Sequence, residues 1–264
     1  ACFREVMEIC VVELGQRYPC LAREEAMALA EIGWCEPAEV GARYAVFTCP
    51  SCEIFKRASL AKSVNGERIR KEKPQIERST KTLDYITARL MVNLARVAEG
   101  SRIWEPFVGT GAVAHEAERV GGYVVGTDLD LEALFMARRN TSGDVAQANA
   151  VLPPLRGGLD AAVGDPPYGR LAKSELEIRA LIQEFAEVAS RVVKRGGYVV
   201  FASPIYVDMP ALRSCVMYLH GGLYRVVYIW RVSNRGEGLG STPCLCKSAA
   251  PASREIDARL SSSR

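Results

Sequence analysis

A chain of 264 residues with 48% apolar residues can bury a full core, and the length suggests one domain of ordinary α/β size plus a smaller unit. A net charge of +3 does not by itself indicate a nucleic-acid partner, so the distribution of charge carries more than its sum. No apolar run approaches the ~18 residues that would span a bilayer, and the N-terminus lacks the basic-then-apolar layout of a signal peptide. The expectation is a cytoplasmic protein with no membrane partner.

Met7 to Leu14 reads as a strand and Leu21 to Ile32 as a helix rich in alanine and glutamate. Tyr44 to Thr48 follows as a strand and Glu53 to Val64 as a second helix, so two β–α units predict a small α+β domain over residues 1–66. Residues 67–79 form a basic, proline-containing linker. Lys62, Arg68, Arg70, Lys71, Lys73, Arg78 and Lys81 lie in and around it and are candidate phosphate contacts, a solvated linker being the alternative.

Thr82 to Val97 is an amphipathic helix, with Leu83, Ile86, Leu90, Leu94 and Val97 at three- and four-residue spacing. Strands and helices then alternate: strand Arg102–Glu105, helix Ala112–Val120, strand Gly122–Gly126, helix Leu131–Asn140, strand Leu159–Val163, helix Glu175–Lys194, strand Gly197–Phe201, helix Met209–His220, strand Tyr224–Val232. That alternation predicts a doubly wound, mainly parallel sheet that binds ligands at the carboxyl ends of its strands. This larger domain is expected to run over residues 80–247, with a serine- and alanine-rich tail at 248–264.

Nine cysteines in a cytosolic chain are expected to be reduced. Cys2, Cys10, Cys20, Cys35 and Cys215 stand singly among apolar or helical residues and read as core fillers. Cys49-Pro-Ser-Cys52 and Cys244-Leu-Cys246 invite a four-thiolate zinc reading, but the second pair has the wrong spacing, and no metal is expected. A disulfide within or between these two pairs is the alternative.

Two stretches carry the chemistry. Glu105-Pro106-Phe107-Val108-Gly109-Thr110-Gly111 lies where the first strand of the larger domain turns into a helix, and its glycines let backbone approach a ligand closely. Asp128, 17 residues after Gly111, falls at the end of the next strand, where a carboxylate can accept from both hydroxyls of a ribose. Asn149 and Ala150, at the end of a presumed third strand, are placed for the edge of an adenine. Gly109 to Ala114 also fits the G-x-G-x-x-A dinucleotide pattern, so an NAD enzyme competes. Glu105, placed for the ammonium of a methionine moiety, favours S-adenosylmethionine instead.

The second stretch, Asp165-Pro166-Pro167-Tyr168-Gly169, follows a short apolar strand. The Asp165 carboxylate and Pro166 carbonyl can accept from the two N–H groups of an exocyclic amine and favour its nucleophilic form, while Tyr168 stacks on the base, a contact worth roughly 1–3 kcal/mol. A rigid strand-ending turn is the bland alternative. His115 and His220 read as packing or capping residues.

These motifs, with Thr127-Asp128-Leu129-Asp130, resemble those of class I amino-methyltransferases, and the helix Ala88–Ala95 is most similar to that of the archaeal and eukaryotic tRNA guanine-N2 methyltransferases that modify position 10. The resemblance covers residues 75–235, and more faintly Glu13–Glu31 and Arg43–Val64, which resemble the family's ferredoxin-like N-terminal domain. It implies a Rossmann-like seven-stranded sheet, S-adenosylmethionine held by Glu105, Phe107, Gly109, Thr110, Gly111, Asp128, Leu129, Asn149, Ala150 and Asp165, and catalysis by Asp165, Pro166, Pro167 and Tyr168 on guanine N2 of tRNA. The family usually carries aspartate in place of Glu105 and an acid in place of Asn149. Some 70 residues before the linker are too few for both a ferredoxin-like unit and the family's THUMP RNA-binding domain, which leaves room for a partner protein to supply RNA binding. Adenine N6, a protein glutamine amide, or a subunit that binds nucleic acid without turnover remain as alternatives.

Overall fold

The computed structural model describes residues 6–166, 174–209, 213–220 and 223–233. Its first sheet has five antiparallel strands, β1 (Glu8–Leu14), β2 (Glu36–Val40), β3 (Tyr44–Cys49), β4 (Ala61–Val64) and β5 (Glu67–Arg68), in the order β2-β3-β1-β4-β5. Alternate residues of β1 and β3, among them Val12, Leu14, Ala45 and Phe47, are buried with Ala22, Ala26 and Leu29 of α1 (Pro19–Ile32) in one apolar core. Proline in the first turn of α1 costs that helix no hydrogen bond.

The helix expected over Glu53–Val64 does not form. Cys52–Arg57 is a short 3-10 helix, and Ala61–Val64 is β4. The reason lies between them: Ser59 N and Leu60 N donate to the buried Glu25 carboxylate at 2.7 and 2.8 Å, which takes the backbone out of a helical path. Strand β2, with the sequence Glu-Pro-Ala-Glu-Val, carries no alternation and sits at an exposed edge where proline is tolerated.

The second sheet contains β6 (Arg102–Glu105), β7 (Tyr123–Asp128), β8 (Asp144–Gln147), β9 (Leu159–Gly164), β10 (Val193–Ser203), β11 (Arg213–His220) and β12 (Leu223–Arg231), in the order β11-β12-β10-β9-β6-β7-β8. Strands β8, β7, β6, β9 and β10 are parallel, and β12 is antiparallel to both β10 and β11. Two apolar cores cover its faces: Leu90 and Leu94 of α2 (Tyr85–Leu94) and Ala114 of α3 (Ala112–Glu118) belong to one, Ile182 and Phe185 of α5 (Glu175–Val192) to the other. A fourth helix, α4 (Leu131–Asn140), links β7 to β8. This is the Rossmann-like α/β sheet of seven strands read from the sequence. Because the chain winds from β6 outward to β8 and returns to β9 on the other side of β6, the order reverses between β6 and β9, where such sheets open a crevice.

The helix expected over Met209–His220 is contradicted, because Arg213–His220 is strand β11, with Cys215 opposite Val227 of β12. The apolar run Cys215–Leu219 is too short for its period to separate helix from strand, and the neighbouring strand decides it. The lone cysteines do lie in or against the apolar cores, Cys10 and Cys215 buried and Cys20 and Cys35 packed beside them, but the expectation that they are reduced fails. Cys10 is bonded to Cys52, Cys20 to Cys215, and Cys35 to Cys49, so Cys49 and Cys52 are not a thiolate pair and do not bridge each other. Partners far apart in sequence, up to 195 residues for Cys20 and Cys215, meet only in the fold. Cys2, Cys244, Cys246 and the 248–264 tail lie outside the described residues.

The two sheets meet through polar side chains. Asn93 of α2 donates to Glu25 at 2.8 Å and accepts from Arg57 at 2.9 Å, while Arg96 pairs with Glu31 at 2.9 Å and Arg213 with Glu24 at 3.0 Å. Among the described residues no helix is long and apolar enough to cross a membrane.

Candidate active site

Strand β6 ends on Glu105, whose side chain is 2% exposed. Its Oε2 is buried with no hydrogen-bond partner among the described residues. Burial pushes its carboxyl well above the usual carboxylate range; the Ala114 backbone N–H opposes this, and the charges of Asp128, Asp165 and Glu118 reinforce it. A buried acceptor without a donor is costly unless a ligand supplies one, and a cationic donor suits this site.

The chain then turns through Gly109 and Gly111, at φ of +51° and +83°, into α3. A side chain on either would be strained, and one on Gly111 would also meet the Ala137 backbone at 3.4 Å. Asp128, at the end of β7, is held by the N–H groups of Gly109 at 2.8 Å and Asp130 at 3.0 Å, one on each carboxylate oxygen. Each oxygen keeps a further acceptor position. Leu129 beside it is 64% exposed, with its carbonyl accepting from Gln147 at 3.0 Å. Thr110 is buried, donates to Thr82 at 3.0 Å and has its carbonyl held by Asn140 at 2.8 Å. The Phe107 ring packs edge-on against Phe185 at 5.6 Å, in the core. Asn149 is exposed and uses its side-chain oxygen on the Val151 N–H of its own turn at 3.1 Å, while Ala150 is buried.

On the adjoining strand, β9 ends at Gly164 and leads into Asp165 and Pro166. A Cβ on Gly164 would sit 2.9 Å from Pro106 and 3.1 Å from Phe107, so glycine here allows the two loops to close on each other. Arg225 of β12 reaches Asp165 at 3.3 Å, with both side chains largely buried. Burial raises the Asp165 carboxyl to about 7, Arg225 opposing and Asp84 reinforcing. The two corners of the site therefore stand on the same edge of the sheet, on neighbouring parallel strands, close enough for the charge of Asp165 to act on Glu105. Pro167, Tyr168 and Gly169 lie outside the described residues.

A family model described as UPF0020, RMKL-like, methyltransferase domain, matches residues 80–214, half of the chain, including both loops. The chain belongs to this family. It is 35% identical over 157 residues to a tRNA (guanine(10)-N2)-dimethyltransferase of Methanothermobacter thermautotrophicus and 33% identical over 162 residues to that of Methanocaldococcus jannaschii. Each match takes in 54% of this chain, but only 47% and 44% of those relatives, so the chain spans about half their length. TrmN from Thermus thermophilus shares the fold, with a TM-score of 0.55, 18% identity and coverage of 85% of this chain and 100% of that one.

In this methyltransferase-family chain the basic candidates do not form one cluster. Lys62 pairs with Glu13 at 3.2 Å and Arg68 ends β5, both on the five-stranded sheet. Arg70 and Lys73 are exposed, and Lys71 is half-buried, with burial lowering its pKa. Arg78 and Lys81 are exposed on the segment that leads to Thr82 and its contact with Thr110 at 3.0 Å, a segment anchored where Glu77 meets Arg139 at 2.6 Å and Asn140 at 2.8 Å of α4. Two groups near Asp165 have no signal in the sequence. Arg225 sits in an apolar strand, and Asp84 looks only like the cap of α2, which it is, accepting from Thr87 N at 3.0 Å. His115 faces the Asn140 carbonyl at 3.2 Å and serves packing, as expected.

Proposed function

We propose that this chain transfers a methyl group from S-adenosylmethionine to an exocyclic amino group of a nucleic-acid base, guanine N2 of tRNA being the favoured target. The observation that carries the reading is the pair of buried carboxyls, Glu105 and Asp165, on neighbouring parallel strands at the switch point of a sheet whose chain belongs to a methyltransferase family. The Oε2 of Glu105, which lacks a donor among the described residues, suits the ammonium of the cofactor, and the open acceptor positions of Asp128 suit its ribose hydroxyls. The exposed Leu129 offers apolar surface to adenine, with Ala150 buried beneath the neighbouring turn, and the Gly109–Gly111 turn leaves room for the ligand. When bound, S-adenosylmethionine supplies a methyl group on a positively charged sulfur.

Asp165 and the Pro166 carbonyl hold the amine by its N–H groups, and Pro167 and Tyr168 complete the platform for the base. As the N–C bond forms and the C–S bond breaks, the amine proton passes to Asp165 or to water. Orientation supplies most of the acceleration, since reacting atoms held about 3–3.5 Å apart gain from lost freedom already spent on binding. A paired base must leave its stack first, at a cost of a few kcal/mol. Arg78 and Lys81, with Lys62, Arg68, Arg70, Lys71 and Lys73 elsewhere on the surface, give the RNA separate basic contacts.

Residues 80–247 form the transferase unit in this reading, residues 1–66 a smaller supporting domain and residues 67–79 the basic connection. A cytoplasmic location follows from a tRNA substrate, and a partner protein is the expected source of further RNA contact. The test is to incubate the purified chain with labelled cofactor and total RNA from its source, then digest to nucleosides. Label in N2-methylguanosine supports the reading. Label in N6-methyladenosine replaces the target base, and failure to bind the cofactor by calorimetry removes the enzyme.

A further inference from the structure

A cavity of about 160 Å³ opens between the 3-10 helix Cys52–Arg57, the segment after β5 and the outer ends of α2 and α3. Five basic side chains line it, Lys56, Arg57, Arg70, Arg89 and Arg119, against two acids, Glu72 and Glu116. The acids do not balance them. Glu116 is taken by Arg89 at 2.8 Å and Arg119 at 3.5 Å, and Glu72 approaches Arg119 at 3.6 Å. Lys56 pairs with Glu53 and Glu67 at 2.7 and 3.4 Å, neither of which lines the cavity.

Arg57 and Arg70 remain. Arg57 donates only to neutral acceptors among the described residues, Asn93 Oδ1 at 2.9 Å and the Val97 carbonyl at 2.8 Å. Its pKa is pushed down to about 10 by burial; the charge of Glu25 opposes this, and that of Arg89 adds a smaller push in the same direction as burial. Arg70 is exposed and has no ion pair among the described residues. Arg57, whose guanidinium has no acid within ion-pair distance among the described residues, and Arg70 line one concave place, where an anion gains from both, and the planar guanidinium fork matches phosphate oxygens.

We propose that this cleft binds a phosphate group through Arg57, Arg70 and Arg119, with Arg89 held behind them by Glu116. The site is separate from the cofactor crevice: Arg119 lies beyond the far end of α3, eight residues past Gly111 and hence roughly 12 Å away along the helix axis. A phosphate of the RNA backbone fits best, because Arg68, Lys71 and Lys73 flank Arg70 in the chain and add positive charge near it. That source rests on the function proposed above; a free polyphosphate offers the same chemistry.

The test uses the full chain and the double variant Arg70→Gln/Arg119→Gln, which spares Arg57 because its hydrogen bonds tie the two sheets together. RNA affinity is measured against salt, and tripolyphosphate is used both as competitor and as thermal stabiliser. The variant is expected to bind RNA about tenfold more weakly at physiological salt and to lose roughly 1–2 units of the slope of log affinity against log salt. Tripolyphosphate is expected to raise the Tm of the parent and not of the variant. Loss of the tripolyphosphate effect with RNA binding unchanged keeps the site and assigns it to a free polyphosphate. RNA affinity, salt slope and tripolyphosphate response all unchanged would overturn the proposal. Calorimetric cofactor affinity, expected to be equal in the two proteins, separates this outcome from a failure of the methyl-transfer reading.

Discussion

Two carboxylates are buried to nearly the same degree in this molecule, and their surroundings are opposite. Glu25, 1% exposed, accepts from Ser59 N, Ser59 Oγ, Leu60 N and Asn93 Nδ2 at 2.7 to 2.8 Å, and so binds the small sheet to α2 of the large one. Glu105, 2% exposed, keeps one oxygen without a donor among the described residues and has three other acids acting on it. A buried carboxyl with both oxygens hydrogen-bonded belongs to the architecture, whereas one with an oxygen left short is maintained at a cost that only a ligand offsets. Burial alone would not have told these two glutamates apart.

The largest effect is expected at the neighbouring acid. Asp165→Asn should slow methyl transfer by about 10²–10³-fold, the scale for removing one preorganised polar contact to a reacting group, while cofactor affinity stays within a few-fold. Loss of both together would mean that Asp165 holds the cofactor rather than the amine.

The contrast itself is tested by stability. Glu25→Ala strands the donors of Ser59, Leu60 and Asn93 and should cost about 3 kcal/mol in urea unfolding. Glu105→Gln should leave stability unchanged or raise it, because it removes the cost of ionising a buried carboxyl, and should weaken cofactor binding. Equal destabilisation by the two would erase the distinction between these glutamates.

A smaller effect is a shift in pH dependence. Asp165 holds its proton up to about pH 7, so a reaction that needs its carboxylate should accelerate as pH rises through that value. For stability the sign is reversed: a carboxyl raised in the folded state contributes stability that is complete below its ordinary range and is lost as pH rises through about 7. Arg225 opposes the rise, so Arg225→Gln should move the midpoint of the rate profile upward; an unmoved midpoint would disconnect the two groups. The smallest change is expected from Lys71→Gln/Lys73→Gln, which should weaken RNA binding slightly and flatten its salt slope by roughly 1 unit for each phosphate no longer neutralised. An unchanged slope would leave these lysines as solvated linker.

Much of the larger sheet was legible because its signals are local. Leu131–Asn140 carries a helical period, Arg102–Glu105 and Leu159–Val163 are short runs bounded by turn residues in a repeating strand–helix order, and the glycines at 109 and 111 announce a turn that other residues make with strain. Met209–His220 and Glu53–Val64 misled because each contains a short apolar run that fits either period, and in each a distant partner decides: Val227 opposite Cys215, and Glu25 beneath Ser59. Cysteines resisted for the same reason, since nothing near Cys20 points to Cys215.

At the site, residue order alone settles which chemical groups the loop ends carry, because the residue types and the spacing of Glu105, Asp128 and Asp165 follow from where strands stop. It takes the closed fold to bring β9 back beside β6, so that two acids 60 positions apart share one crevice, and to let Arg225 and Asp84 set the proton affinity of one of them. The reason is one of range: backbone preference and hydrophobic period act over a few residues, whereas desolvation and Coulomb interaction depend on distances that exist only once the sheet has closed.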